Sequence, residues 1–327
     1  PKGFEEDICL HIPFNFTRPG LKKVRHWIYR LYRGEKGYHR EREGYPPVWS
    51  PEGIFDAAFI FIREKLSNSR IRAAIRKYDL FDADVIHFES GMDFYKDARF
   101  AKEMKARGAK IICHYHGEDL RSRGVLEPLD KISDLNLTNE LDLMKKHPDM
   151  KYIFLPFDVN EFISQYKVKK QRNAIPLVSH APTNRYYKGS EFIIPVCQRL
   201  EREGRIRFRL IENLSHRKAN ELKAQSDIFI DQIGDRGGWG YGMNSLEALA
   251  LGVCTITEMN KEYREFIPDH PFINANSSNL HEVLLASVQD GALRARKAEE
   301  GLKWLHRYHD IYAVGESLYG YYKEIGL

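Results

Sequence analysis

Five of the nine residues from 234 to 242 are glycine (Gly234, Gly237, Gly238, Gly240 and Gly242), a density that lets main-chain amides approach a ligand with no side chain in the way. Phosphate is the ligand that uses such a loop. The residues that follow, 243–251, read as a helix, opened by Met243 and Asn244, whose first-turn N–H groups and dipole favour an anion. Glu247, one turn inside, is placed to take the hydroxyls of a sugar or ribose beside the phosphates, while Leu246, Leu249 and Ala250 face the core. The plain alternative for Glu247 is a solvated helix carboxylate.

Lys188 opens a second predicted helix, 188–203, at the end where a cation opposes the dipole, so an anionic ligand is a reason for it. Otherwise it is a surface lysine, and in either case folding should hardly register its loss. His116 follows a predicted strand at 109–114, where a histidine is either a satisfied structural group or a site residue. Asp82 and Asp84 form an Asp-x-Asp pattern suited to a metal and a nucleotide, but they precede a buried strand and read as a polar strand entry. No cluster of His, Cys and carboxylates has metal-ligand spacing, and no Gly-x-Ser-x-Gly nucleophile turn is present.

Trp239-Gly240-Tyr241-Gly242, followed by Leu246-Glu247-Ala248 and Gly252, resembles the donor-binding segment of glycosyltransferase family 4, the group 1 enzymes of the GT-B fold. The family carries Glu-Gly-Phe-Gly and then Leu-Glu-Ala there, so its second glutamate is Glu247 while Trp239 holds the place of the first. Arg185-Tyr186-Tyr187-Lys188-Gly189-Ser190 resembles the family's Lys-Gly element, and His114-Tyr115-His116-Gly117 its His-Gly turn.

The resemblance implies an α/β protein of two doubly wound, Rossmann-like domains facing across a cleft, with a C-terminal helix crossing back to the first. It puts an acceptor-side domain at 1–160, a nucleotide-sugar domain at 173–308 and the crossover helix at 309–327. It implies transfer of a sugar, with retention, from a nucleoside-diphosphate sugar to the hydroxyl of a carbohydrate or lipid-linked acceptor, with no metal and no other cofactor. Lys188 and the main chain around Gly240, Tyr241, Gly242, Met243 and Asn244 would hold the diphosphate, Arg185 would supply a second cation, and Glu247 would engage the ribose. His116 would touch the donor sugar as the catalytic-side residue. Because Trp239 replaces a carboxylate aimed at the sugar, two other readings stay open: a nucleotide-sugar epimerase of the same fold, and a degenerate, non-catalytic nucleotide-sugar-binding module.

The elements that must position these residues are legible around them. At 327 residues the chain is long enough for two domains of roughly 150 residues each. A predicted strand within 81–89 and others at 109–114, 135–138 and 151–155 alternate with helices at 93–107 and 140–146, as a parallel sheet requires. The pattern lapses between Pro156 and Asn173, then resumes with strands at 174–180, 207–211 and 227–231 and helices at 188–203 and 215–224, the last capped by Ser215. One strand and its glycine turn, which family members place between Ile211 and Asp227, are expected to be missing; the first strand of the first domain is likewise expected outside this sequence, whose own first strand reads at 8–12. The aromatic-rich end, 293–327, reads as helical.

A hydrophobic content of 43% with 30% charged residues is that of a globular protein, and no apolar run is long enough to span a bilayer. Four scattered cysteines, Cys9, Cys113, Cys197 and Cys254, read as buried free thiols of a reducing compartment, and no signal peptide opens the chain; both point to the cytoplasm. The net charge of +5 is concentrated at 22–42, where Lys and Arg alternate with Trp27, Ile28, Tyr29, Leu31 and Tyr32. That segment reads as a helix with a solvated basic face or as a peripheral contact with anionic lipid at the inner membrane surface; no signature of nucleic-acid binding accompanies the charge.

Overall fold

The computed structural model describes residues 41–166, 173–234, 236 and 240–327, together with Val24 and Trp27. The expected strand at 8–12 and most of the basic segment 22–42 lie outside the described residues, as do Asp235, Gly237, Gly238 and Trp239. The chain divides into two compact units, Pro1–Asn136 with Lys146–Asp149 and Leu137–Lys145 with Met150–Leu327.

In the first unit, helix α1 (Ile54–Lys77) precedes strand β1 (Val85–Glu89), helix α2 (Arg99–Ala106), strand β2 (Lys110–Tyr115) and the short helix α3 (Glu127–Asp130). β1 and β2 pair in parallel from Val85↔Lys110 to Glu89↔His114. Ile111, Ile112, Cys113 and Tyr115 of β2 are all buried, the continuous burial of a strand covered on both faces. α2 starts later than the predicted 93, because the buried Asp93 is spent on a turn: its carboxylate accepts the N–H groups of Tyr95 at 3.1 Å and Ala101 at 2.7 Å. The 24-residue α1 has no counterpart among the sequence expectations. Its apolar residues lie on several sides, with Phe59, Ile71 and Ile75 buried and Ile54, Phe55, Phe61, Ile62 and Leu66 exposed, so no single stripe announces it.

Strands β3 (Leu135–Thr138) and β4 (Met150–Tyr152) complete a four-stranded sheet in the order β1-β2-β3-β4, and helix α4 (Val159–Gln165) follows. The five-stranded sheet contains β5 (Leu177–His180), β6 (Arg207–Leu210), β7 (Ile228–Ile230), β8 (Cys254–Thr257) and β9 (Ile273–Asn274), in the order β6-β5-β7-β8-β9. Every adjacent pair in it is parallel. The connecting helices are α5 (Ser190–Arg202), α6 (His216–Lys223), α7 (Met243–Ala250), α8 (Lys261–Phe266) and α9 (Leu280–Gln289). Ile193, Cys197 and Leu200 of α5 pack with Val178, Ile228, Ile230 and Ile256, the apolar face that the spacing of α5 predicts. Only α6 lies between β6 and β7, as the short interval after Ile211 led one to expect.

The order of this sheet fixes where a ligand site can form. The chain leaves β5 for β6 on one side and returns for β7 on the other, so the connections after β5 and β7 diverge and leave a crevice at the carboxyl ends of those strands. Lys188 follows β5 and the glycine loop follows β7.

The end of the chain forms α10 (Gly291–Tyr308) and α11 (Ile311–Glu324). Trp304 and Leu305 of α10 share a core with Leu246 and Leu249 of α7 and with Phe157, Val159 and Phe162 at α4, so the segment after β4 packs beneath the glycine-loop helix. α11 is tied to β4: Tyr321 Oη donates to Tyr152 O at 2.8 Å, and Lys151 pairs with Glu324. Cys113, Cys197 and Cys254 are buried free thiols, and burial pushes those of Cys113 and Cys197 up to about 12. No helix among the described residues is long and apolar enough to cross a membrane.

Candidate functional site

Gly189 brings the two diverging connections together. It caps α5 in the left-handed region (φ 61°), and a Cβ there would stand 1.5 Å from Ile233 O, so only a bare Cα lets the β5 and β7 loops touch. Lys188, one residue earlier, therefore reaches Asp231, the first residue after β7: Nζ lies 2.5 Å from Asp231 Oδ1. Asp231 Oδ2 accepts from Ser245 Oγ at 2.6 Å, which carries the contact into α7. Burial alone would raise the Asp231 carboxyl, but the Lys188 charge and the two hydrogen bonds hold it below its ordinary value. Lys188 is thus neither a free surface lysine nor the first residue of α5: it is the partner of a fully buried carboxylate.

His180, at the end of β5, fixes the same corner from below. Its Nδ1–H donates to Ile230 O at 2.8 Å, which leaves Nε2 to accept from Ser190 Oγ at 2.8 Å, tying β5, β7 and the start of α5. Arg185 forms a two-pronged pair with Glu212, at 2.7 and 2.6 Å, on the exposed rim. Arg236, within the glycine loop, stacks over Tyr186 with 4.4 Å from its guanidinium carbon to the ring centre and pairs with Glu191.

The glycine loop enters α7 without a side-chain cap. Gly242 is the N-cap, and among the described residues no side chain caps the helix and none would lie within 4 Å of a Cβ on Gly242, which leaves the first-turn N–H groups without a side-chain acceptor there. Gly242 (φ −139°) does not use the left-handed region, and Gly240 is required for closeness, since a Cβ there would stand 1.6 Å from the Tyr263 ring. Its carbonyl accepts from Thr257 Oγ1 at 3.2 Å and from Gln232 Nε2. The ring of Tyr241 turns away into an aromatic cluster with Tyr263, Phe272 and Trp304, and its hydroxyl donates to His309 Nε2 at 2.9 Å. His309 Nδ1–H in turn donates to Leu155 O at 2.7 Å. Tyr241 accordingly has only its main chain to offer a ligand, whereas Met243 is exposed at the helix start.

Glu247 is the second difference from the sequence expectation. It is buried, with Oε2 2.7 Å from Nζ of Lys223 and Oε1 2.6 Å from Nε2 of His216, both on α6. Lys223 is itself 1% exposed, and its burial lowers its affinity for a proton while Glu247 opposes the loss. Asn244 completes the group: Oδ1 accepts from Lys223 at 2.9 Å, and Nδ2 donates to Ala181 O at 2.9 Å, just past β5. Lys188, Asn244 and Glu247 are thus brought to one corner of the sheet. The sequence reading missed Asp231, Ser245, Lys223 and His216, of which Asp231, a carboxylate closing an apolar strand immediately before the loop, carried a usable signal.

His116 belongs to the first unit. Its main-chain N–H donates to the Asp119 carboxylate at 2.8 Å, and its Nε2 lies 2.5 Å from Glu89 Oε2. Asp82 sits in a short turn before β1, as a polar strand entry should.

Burial pushes both His180 and His309 down to about 4, so at neutral pH they are uncharged, as their carbonyl partners require. A depressed histidine takes up a proton later in the folded than in the unfolded chain. Stability is therefore present above pH 6.5 and lost as the pH falls toward 4, each residue withdrawing about 2 kcal/mol between pH 7 and pH 5. Urea unfolding at the two pH values is expected to show that fall, and His309→Gln to shrink it; an unchanged midpoint would contradict the assignment of neutral, buried imidazoles.

No family model and no curated protein sequence matches the chain. Solved structures do match it in fold. The structure of Anabaena Alr3699/HepE in complex with UDP superposes with a TM-score of 0.55 at 12% identity, covering 82% of this chain and 89% of that one. Sucrose-phosphate synthase from Thermosynechococcus elongatus gives 0.56 at 12% identity, over 84% and 81%. A glycosyltransferase from Rickettsia africae gives 0.54 at 11%, over 79% and 80%. At such identities the likeness establishes the fold: two parallel α/β sheets of the GT-B class expected from the sequence.

Proposed function

We propose that the protein is a glycosyltransferase that holds a nucleoside-diphosphate sugar at the β5/β7 crevice of its second unit and passes the sugar to an acceptor hydroxyl. The observation that carries this reading is the convergence of Lys188, the uncapped first turn of α7 and Glu247 at the point where the connections after β5 and β7 diverge. UDP is the nucleotide to test first, because the same fold holds UDP and UDP-glucose in the HepE complexes. Membership of family 4, retention, a carbohydrate or lipid-linked acceptor, and action in the cytoplasm, peripheral to an anionic membrane surface, belong to the same proposal.

Chemically, the diphosphate gains negative charge as the glycosidic bond breaks. Lys188 and the N–H groups at Gly242, Met243 and Asn244 are the donors that would meet it, and Arg185 could swing to it from Glu212. Lys188 can turn to a phosphate while Asp231 keeps the Ser245 hydroxyl. Glu247, held by Lys223 and His216, retains lone pairs for ribose hydroxyls. On this reading no divalent ion is needed at the phosphates, so UDP affinity measured by calorimetry should be the same with and without EDTA, and a tenfold fall in EDTA would overturn the assignment of lysine and amides.

Turnover of UDP-glucose against a panel of acceptors tests the reaction. A product formed only with acceptor supports transfer, and a changed sugar nucleotide without acceptor would favour an epimerase. Trp239, standing where a carboxylate is expected, favours a second reading, a nucleotide-sugar-binding module without turnover; UDP binding with no product from any donor would establish it.

A further inference from the structure

We propose that Glu89, His114 and His116 form a site for a divalent transition-metal ion, zinc by the chemistry of its ligands, at the carboxyl ends of β1 and β2. Glu89 and His114 are register partners on adjacent parallel strands, so their side chains leave the sheet on the same face. His116, two residues beyond His114, returns to that face, and the two imidazole centres stand 4.1 Å apart. The three ligand atoms lie within 4.8 Å of one another, the one such group of His, Cys, Asp or Glu among the described residues.

His114 is what separates this group from an ordinary ion pair. His116 and Glu89 satisfy each other at 2.5 Å, but His114 Nε2 is buried and has no hydrogen-bond partner. An orphaned buried ring nitrogen calls for a partner, and a metal ion supplies one without a further side chain. Two imidazoles and one carboxylate are the donor set of three-ligand zinc sites, in which a fourth position stays open to water or substrate. Calcium and magnesium, which ask for oxygen ligands, fit it poorly. Binding requires the His116–Glu89 contact to open to about 3.3 Å, the separation of two ligands on a tetrahedral zinc ion. The main chain of His116 is already held by Asp119, so a small side-chain motion suffices.

The sequence reading found no metal-ligand spacing because Glu89 is 25 residues from His114, and only the parallel pairing of β1 with β2 unites them. The three residues are not those that would hold the phosphates and the ribose, and the test needs no nucleotide. The chain, stripped with chelator and dialysed, is titrated with zinc chloride in the presence of excess magnesium. One zinc per chain is expected to bind, at least tenfold more weakly in Glu89→Gln and at least a hundredfold more weakly in His116→Ala, both changes at partly or well exposed side chains that leave the melting curve in place. Failure of the wild-type chain to take up zinc, or uptake equal in wild type and both variants, overturns the proposal.

Discussion

Lys188→Ala is expected to weaken UDP binding tenfold to a hundredfold and, in the same molecule, to cost about 3–5 kcal/mol of folding stability. The first effect follows from losing a charge-assisted contact to phosphate. The second follows from Asp231, whose carboxylate has no exposed surface and keeps only the Ser245 hydroxyl once Lys188 is gone. A lysine on the surface would give the first without the second, which is why the expectation that folding would hardly register the change is overturned. Lys188→Met combined with Asp231→Asn separates the two: it removes the stranded charge, so stability should largely return, while nucleotide affinity should not. Lys188→Arg should rescue affinity only in part, since a forked guanidinium replaces a point charge in a corner closed by Gly189. Equal UDP affinity in wild type and Lys188→Ala would sink the donor-site reading at its centre.

Glu247→Gln should carry the second large effect. It strips the countercharge from Lys223, an ammonium group 1% exposed that then has only neutral amide oxygens as acceptors, and a loss of about 3–5 kcal/mol is expected. Lys223→Met strands the carboxylate instead and should cost a similar amount. The double variant, with neither charge, should recover most of the stability in urea unfolding, a coupling that two independent surface residues would not give. If Glu247 takes ribose hydroxyls, uridine and UDP should lose affinity in equal proportion in the double variant. A loss confined to UDP-glucose would move Glu247 from the ribose to the sugar.

The parts of the fold that the sequence revealed are those in which local pattern and tertiary environment agree. The buried run of β2, the apolar face of α5 and the Ser215 cap of α6 are each read from neighbours in the chain. α1 was missed because its apolar residues are divided between buried and exposed sides, and α2 was begun too early because Asp93 diverts the chain into a turn. In the site, Lys188, Asn244 and Glu247 could be singled out because their residue types are unusual where they stand. Their partners could not, because Lys188 and Asp231 are 43 residues apart, and Lys223 and Glu247 are 24 apart. Such pairs exist only once β5, β7 and α6 have been laid side by side. Tyr241 illustrates the converse: glycines on both sides suggest a ligand, yet its ring is a wedge among Tyr263, Phe272 and Trp304.

The pairing of charges around the crevice also sets how a ligand must enter. Among the described residues, Lys188 with Asp231, Lys223 with Glu247, Arg185 with Glu212 and Arg236 with Glu191 each pair a cation with a carboxylate. Pairing removes most of the long-range pull of these four cations on an approaching anion, so their own contribution to the association rate and to its salt dependence should be small. Capture is instead an exchange, in which phosphate oxygens replace a carboxylate at each cation they take. Such a swap rewards a ligand with two phosphates and a sugar or nucleoside to anchor it, and leaves free sulfate or inorganic phosphate weakly held. The corner thus behaves as a latch that one kind of anion opens, discriminating through the bonds it must first break.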